Sequence, residues 1–256
     1  MISTVTGYVI RIRQIFKSWE SPNYLWFRGE PDVESKLIPK LYRKNADGSF
    51  HNENKLLQMF RMRAANYSQL SVPDRKYTDQ WLFLAQHVGL PTRLLDWTEN
   101  ALIALHFAIQ NENPIVWLLD PMGLNQLSIS NLEGREFEPI EEFPLTWFRP
   151  GGGIINIGHE NIRGAWENDK KGVNFPVAVH PTYVHPRMSA QRSVFTVHGL
   201  DKRSIADQVP QNILTRLEIN PSARTNIAKE LRMLGVEEST AFPDLDGLSK
   251  ELSERY

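Results

Sequence analysis

The side chains best equipped for chemistry gather between Leu84 and Ala108, in LAQHVGLPTRLLDWTENALIALHFA. Gln86, His87, Thr92, Arg93, Asp96 and Thr98 stand there among leucines, a tryptophan and alanines. An ordinary core helix has no use for that mixture, because a polar group taken out of water without a partner costs free energy. A histidine or a carboxylate in such a place can give or take a proton. A guanidinium can clamp a phosphate or a carboxylate through its planar fork. Hydroxyls and carboxamides can orient a sugar. Asp96, beside two leucines and Trp97, needs a cationic partner, and Arg93 and Arg28 are the candidates.

The backbone signals place these groups on element ends. Trp81, Leu84, Ala85 and Val88 predict a helix beginning near Asp79, closed by Gly89 in a left-handed C-terminal position, with Gln86 and His87 in its last turn. A histidine there is favoured by the helix dipole even without a function. Gly89 and Pro91 break the chain, so Thr92 to Thr98 falls on a turn and a short extended piece leading into a second helix, Glu99 to Ile109. Thr98 is expected to cap that helix, and its positive N-terminal end can face an anion. Earlier in the chain, Leu25-Trp26-Phe27 reads as a buried strand that delivers Arg28 at its end, and Gly29 lets the backbone turn where a side chain would obstruct. Arg28 has two uses open to it: pairing with a carboxylate at the core edge, or clamping a phosphate or ribose.

The remaining elements follow from spacing. Val5, Tyr8, Val9, Ile12, Ile15 and Phe16 predict an amphipathic helix entered through Ser3 or Thr4. Pro39 to Arg43 is a short basic stretch, by itself no more than a solvated face, before a turn at Asn45 to Ser49. A long helix is expected over Glu53 to Ser71, and strands over Ile115 to Leu119, Val177 to His180, Ser193 to Val197 and Leu214 to Ile219. Asn220 and Pro221 open a helix that Gly235 ends, and a last short helix follows the turn-rich Phe242 to Gly247. The region 123–171, broken by prolines and by Gly151 to Gly153, reads as an irregular insertion in a single domain spanning 1–256. Trp147-Phe148-Arg149 echoes Trp26-Phe27-Arg28 by chance, and the glycines lack the lysine and hydroxyl residue of a phosphate loop.

Composition narrows the classes. The 256 residues are 41% hydrophobic and 23% charged with a net charge of -1, so neither disorder nor bulk attraction to nucleic acid is expected. No apolar run is long enough for a membrane span and the N-terminus has no secretory pattern, which predicts a cytoplasmic protein without membrane partners. Zero cysteines exclude thiolate sites. His180, His185 and His198 lack an acidic partner at ligand spacing, so no metal is expected.

WFRGE at Trp26 to Glu30 together with AQHVGLPTRLLDWTENALIALHFA resembles the FRG domain family, named for its Phe-Arg-Gly triplet. AQRSVFTVHG around Gln191 and LGVEESTAFPDLDG near the end are also similar to that family. The resemblance implies the company of bacterial defence and toxin-like systems but no particular reaction. A more distant similarity is to ADP-ribosyltransferases built on an arginine, a Ser-Thr-Ser strand and a glutamate. Arg28 would match the first element, Asp96-Trp97-Thr98 followed by Ala104 to Ala108 the second, and Gln191 with Ser193 the third. Ser193 stands where the catalytic glutamate would be, and a serine cannot carry the negative charge that stabilises an oxocarbenium ion.

The expected architecture is α+β, a short-stranded sheet with surrounding helices, and the second resemblance implies that it is ADP-ribosyltransferase-like. The expected function is a pocket for NAD or a related nucleotide, with NAD-dependent glycosyl transfer or hydrolysis as its chemistry. Arg28, His87, Asp96 and Gln191 would be catalytic, Asp96 or His87 supplying the missing acid-base group. Arg28, Gly29, Gln86, Thr92, Arg93, Trp97 and Thr98 would hold the ligand. Two alternatives stay open: a non-catalytic module for a nucleotide or nucleic-acid end, and a protein-interaction module whose polar motif is a structural network.

Overall fold

A computed structural model describes residues 1–19, 22, 24–30, 37–64, 66–67, 73–74, 78–110, 112–130, 148–149, 153–154, 175–181, 183, 185–199 and 201–256. Helix α1 (Val5–Ser18) opens on Thr4, whose side chain accepts from the Gly7 N–H. Strand β1 (Trp26–Glu30) follows, then α2 (Glu53–Ala64), α3 (Thr78–His87), β2 (Leu94–Thr98), α4 (Ala101–Ala108) and β3 (Ile115–Leu119). After α5 (Pro121–Ser130) come a two-residue hairpin, β4 (Phe148–Arg149) with β5 (Gly153–Ile154), and then β6 (Val177–Val179). The chain ends with α6 (Pro186–Ala190), β7 (Ser193–Val197), β8 (Leu214–Glu218), α7 (Arg224–Met233), α8 (Glu238–Ala241) and α9 (Leu245–Arg255).

Six of the strands form one sheet in the order β6-β7-β2-β1-β3-β8, every neighbouring pair antiparallel. The fold is therefore α+β, with helices on both sides of the sheet. On one face α1, α4 and α7 bury Tyr8, Phe27, Ile103, Leu105, Val116, Leu118, Ile227 and Leu231 in one cluster. On the other, Trp26, Leu95, Trp97, Leu119 and Val194 pack with Leu124 of α5 and with Ile205. Each such side chain removed from water contributes about 1.5–3 kcal/mol. Among the described residues no helix is long and apolar enough to cross a membrane.

Several local expectations are met, and the rest changed for identifiable reasons. Gly89 and Gly235 take the positive φ expected of helix-ending glycines, 87° and 76°. α4 is capped by Asn100, whose Oδ1 accepts from the N–H groups of Leu102 and Ile103, so Thr98 remains the last residue of β2. Gly29 lies within β1 and makes no turn: a Cβ there would sit 2.0 Å from the Ala104 carbonyl oxygen and 2.7 Å from the Ala108 nitrogen. α4 thus rests directly on β1, and the Phe-Arg-Gly glycine is what lets it. α2 is described only to Ala64, and most of the residues expected to prolong it lie outside the described ones.

The start of the expected insertion is regular structure. Within 123–130, α5 buries Leu124 completely, and Asn125 acts as a strand partner for β6, donating to the Ala178 carbonyl at 3.1 Å and accepting from its N–H at 2.8 Å. Ser128 donates to the Pro176 carbonyl at 2.6 Å. These bonds satisfy backbone groups on the open edge of β6, as buried main-chain polar groups require. Residues 131–147, 150–152 and 155–174 lie outside the described residues.

Candidate functional site

The sheet has a parting between β1 and β2. β1 meets β3 at five successive residue pairs and β2 meets β7 at five, yet β1 and β2 pair only at Phe27 with Thr98. Continued, that register would set Gly29 opposite Asp96. Instead the Arg28 side chain fills the gap: its Nη1 donates to the Asp96 carbonyl oxygen at 2.7 Å. A side chain has replaced a rung of the ladder.

From that point a row of polar contacts runs in both directions. Arg28 Nε donates to Glu30 Oε1 at 2.5 Å, two residues along the same strand and so on the same face. Arg28 Nη1 is 3.7 Å from Asp96 Oδ2. Gln86 Nε2, from the last turn of α3, donates to that same Oδ2 at 2.6 Å. The Gln86 Oε1 accepts from Thr92 Oγ1 at 2.5 Å, and Thr92 Oγ1 accepts from the Leu94 N–H at 3.1 Å. Five side chains from β1, α3, β2 and the turn between α3 and β2 are thereby joined. Glu30 and Thr92 are buried, Arg28 is 17% exposed at its side chain and Asp96 55%. The carboxylate meets solvent more fully than Arg28 and Gln86, which are half-buried and orient it. Among the described residues Arg28 Nη2 makes no hydrogen bond.

Sequence reasoning offered Arg93 and Arg28 as partners for Asp96, and the structure selects Arg28. Arg93 is committed elsewhere. Only 1% of its side chain is exposed, and it grips Glu53 at the start of α2, Nε lying 2.9 Å from both carboxylate oxygens and Nη2 also bonding. The Tyr42 hydroxyl, pushed up to about 12 chiefly by burial, stays protonated and donates to the carbonyls of His198 and Gly199. His198 is fully buried and its imidazole is held down to about 3, first by burial and then by the Arg28 and Arg93 charges. Its Nε2 lies 3.2 Å from Thr196 Oγ1, which also accepts from Trp97 Nε1 at 3.1 Å.

The other expected site residues sit apart from the row. Trp97 is 3% exposed and packs in the core, and Gly29 faces the backbone of α4, so neither offers a surface to a ligand. His87 lies tilted against His185 with ring centres 4.0 Å apart, and its imidazole is lowered to about 4 by burial, His185 and Arg187. It is a neutral base near pH 7 and no acid. Thr98 Oγ1 donates to the Gln191 carbonyl at 2.6 Å and accepts from the Asn100 N–H at 2.9 Å. The Gln191 carboxamide donates to the Ala241 carbonyl at 3.0 Å, tying α6 to α8. Thr98 and Gln191 form a second grouping, joined to the first through β2.

Glu30 was missed by sequence reasoning although the quoted WFRGE carried its signal, since residues two apart on a strand share a face. Glu53 had no signal, because its partner is forty residues away. Among the described residues no group of three or more histidines and carboxylates could hold a metal ion.

Comparison with known families gives a match over part of the chain. Residues 23–115 match the family described as the FRG domain. The match begins just before β1 and ends at the first residue of β3, so it contains the whole row, while β6, β7 and β8 lie beyond it. No curated protein and no solved structure matches the chain.

Proposed function

We propose that this chain, an FRG domain over residues 23–115, binds NAD or a related nucleotide at the parting of β1 and β2 and acts on its glycosidic bond. The observation that carries the reading is the row from Glu30 to Thr92, which holds a solvent-facing carboxylate beside a guanidinium with one nitrogen unengaged among the described residues. A guanidinium of that kind suits a pyrophosphate oxygen, and an oriented carboxylate suits vicinal ribose hydroxyls.

In the reaction the bond from the anomeric carbon to nicotinamide nitrogen breaks, and its electron pair leaves with nicotinamide. A water or acceptor hydroxyl forms the new bond and loses its proton. Asp96 is the group whose negative charge would stabilise the positive charge developing at that carbon, the part that Ser193 cannot play. Glu30, Gln86 and Thr92 are positioning residues, because each acts by fixing Arg28 or Asp96. Thr98 and Gln191 would shape the neighbouring wall, and His87 has no part in it. NAD turnover would suit the defence or toxin settings that the FRG resemblance implies.

The bonds that Arg28 already makes to Glu30 and to the Asp96 carbonyl favour a second reading, a non-catalytic module in which the row holds β1 and β2 in place. One experiment separates the two. Purified protein is incubated with NAD, nicotinamide release is followed, and melting temperature is measured with and without NAD. Release that collapses in Asp96→Asn supports the enzyme. A raised melting temperature without release supports the binding module. Neither effect removes the nucleotide from the reading.

A further inference from the structure

The basic stretch before the first long turn acquires a partner only in three dimensions. Tyr42 donates to the carbonyls of His198 at 3.1 Å and Gly199 at 2.6 Å, which draws Lys40 to Phe50 against the segment that follows β7. As a result the Lys202 ammonium lies 4.5 Å from the ring centre of Phe50 and 5.8 Å from that of Tyr42. Phe50 is 45% exposed, an aromatic ring at the surface with a cation over it. Two of the nearby carboxylates are paired with cations, and the third, Asp47, bonds only to neutral groups and keeps its charge. Asp201 holds Arg203 at 2.6 Å, Glu53 holds Arg93, and Asp47 accepts from the Ser49 N–H and hydroxyl. Among the described residues Lys40, Arg43, Lys44 and Lys202 enter no ion pair, and all four are exposed. A chain with a net charge of -1 thus carries, along this turn and the segment facing it, four cations outside any ion pair, with Lys202 over the exposed ring and Asp47 as the unpaired carboxylate of the turn.

We infer that this surface, with Lys202 over Phe50, Lys44 on the other flank of the same turn, and Lys40 and Arg43 leading into it, binds single-stranded nucleic acid. The cations match a phosphodiester backbone, and displacing its counterions supplies affinity. The phenylalanine decides among polyanions. A base face is available for stacking only when the base is unpaired, and an acidic protein segment offers no comparable π-face. On binding, a phosphate draws the Lys202 ammonium aside and a base takes its place on the Phe50 ring. The exchange is feasible because a cation over an exposed ring contributes only about 0.5–1 kcal/mol. The surface shares no residue with the Arg28 row, so it stands or falls independently of the nucleotide reading.

The test is fluorescence anisotropy of labelled 12-nucleotide oligo(U) and oligo(dT) titrated with the whole chain at 50 and 200 mM salt. Saturable micromolar binding is expected, weakening roughly 20-fold over that salt range if about three phosphates are neutralised. Lys44→Glu with Lys202→Glu should lose at least tenfold, and Phe50→Leu, which keeps the bulk and removes the ring, about fivefold or more. Absence of saturable binding at 50 mM salt would overturn the inference. Equal affinity for a duplex or for polyglutamate would overturn it too, as would undiminished binding by the double variant. Nicotinamide release serves as the separate readout for the Arg28 row, and the surface variants should leave it unchanged.

Discussion

Arg28 Nη1 donates to the main-chain carbonyl of Asp96 at 2.7 Å and stands 3.7 Å from Oδ2 of the same residue. One guanidinium nitrogen therefore addresses both acceptors of a residue across two strands that have parted. The backbone bond fixes where Arg28 ends, and Gln86 fixes where the Asp96 carboxylate points. This division lets the charge at the surface be changed without dismantling what holds it.

Asp96→Asn should accordingly separate activity from stability. The carboxylate is more than half exposed and its ion pair is long, so losing the charge should change stability by less than about 1 kcal/mol. Nicotinamide release should fall by about 10²–10³-fold, the usual cost of removing one electrostatic stabiliser. Urea midpoints beside single-turnover rates check both halves, and a variant with the wild-type rate would exclude Asp96 from the chemistry.

Gly29→Ala should be among the most damaging single changes in the chain. Its Cβ would need space already held by the main chain of α4, 2.0 Å from the Ala104 oxygen, and a helix backbone cannot step aside as a side chain can. Overpacking of this kind costs about 1–3 kcal/mol and sometimes more, and the upper end is expected here. Thermal melting of the variant measures it. A melting temperature within a degree or two of the wild type would mean that α4 does not rest on β1.

The Arg93 and Glu53 pair, almost wholly buried, should behave non-additively. Removing one partner strands the other charge, so Arg93→Met alone and Glu53→Leu alone should each cost about 3–5 kcal/mol. Together, Arg93→Met with Glu53→Leu should cost less than either single change. A double-mutant cycle in urea gives the coupling, and simple additivity would contradict the pairing.

Stability should fall between pH 6.5 and pH 5, before most carboxylates titrate. His198 is held neutral in the fold down to about 3, whereas in the unfolded chain it protonates near its ordinary value of 6.5. Below 6.5 the unfolded state therefore binds the additional proton, and the fold loses up to about 1.4 kcal/mol per pH unit through this residue. Above 6.5 both states are neutral and the contribution is complete. His87, lowered to about 4, acts in the same direction from a half-exposed position. Urea midpoints at pH 7.5, 6.0 and 5.0 should drift downward, and less steeply in His198→Phe. An identical drift in that variant would show that His198 does not carry the effect.

Much of this architecture is written in local signals. Thr4 as a cap and Gly89 and Gly235 as helix ends each act over a few residues. Phe27 and Arg28 alternate across a strand. Asn100 shows the limit of such signals: Thr98 and Asn100 are both good capping residues, and the choice fell to Asn100 because Thr98 was already held in β2 opposite Ser193. Four of the five members of the row, Arg28, Gln86, Thr92 and Asp96, are legible as polar groups in an apolar setting, whereas Glu30 and the bonds that join the five are not.

By itself the sequence determined which side chains could do chemistry and which element would carry each, because capping, periodicity and turn preference depend on neighbours along the chain. Tertiary structure alone decided that Arg28 and not Arg93 meets Asp96, that Glu53 is the partner of Arg93, that Gly29 serves a helix, and that Lys202 rests on Phe50. The physical reason is the same in each case. Those contacts join residues 40 to 152 positions apart, or a strand to the helix packed on its face, and they depend on strand order, register and the depth at which each helix seats.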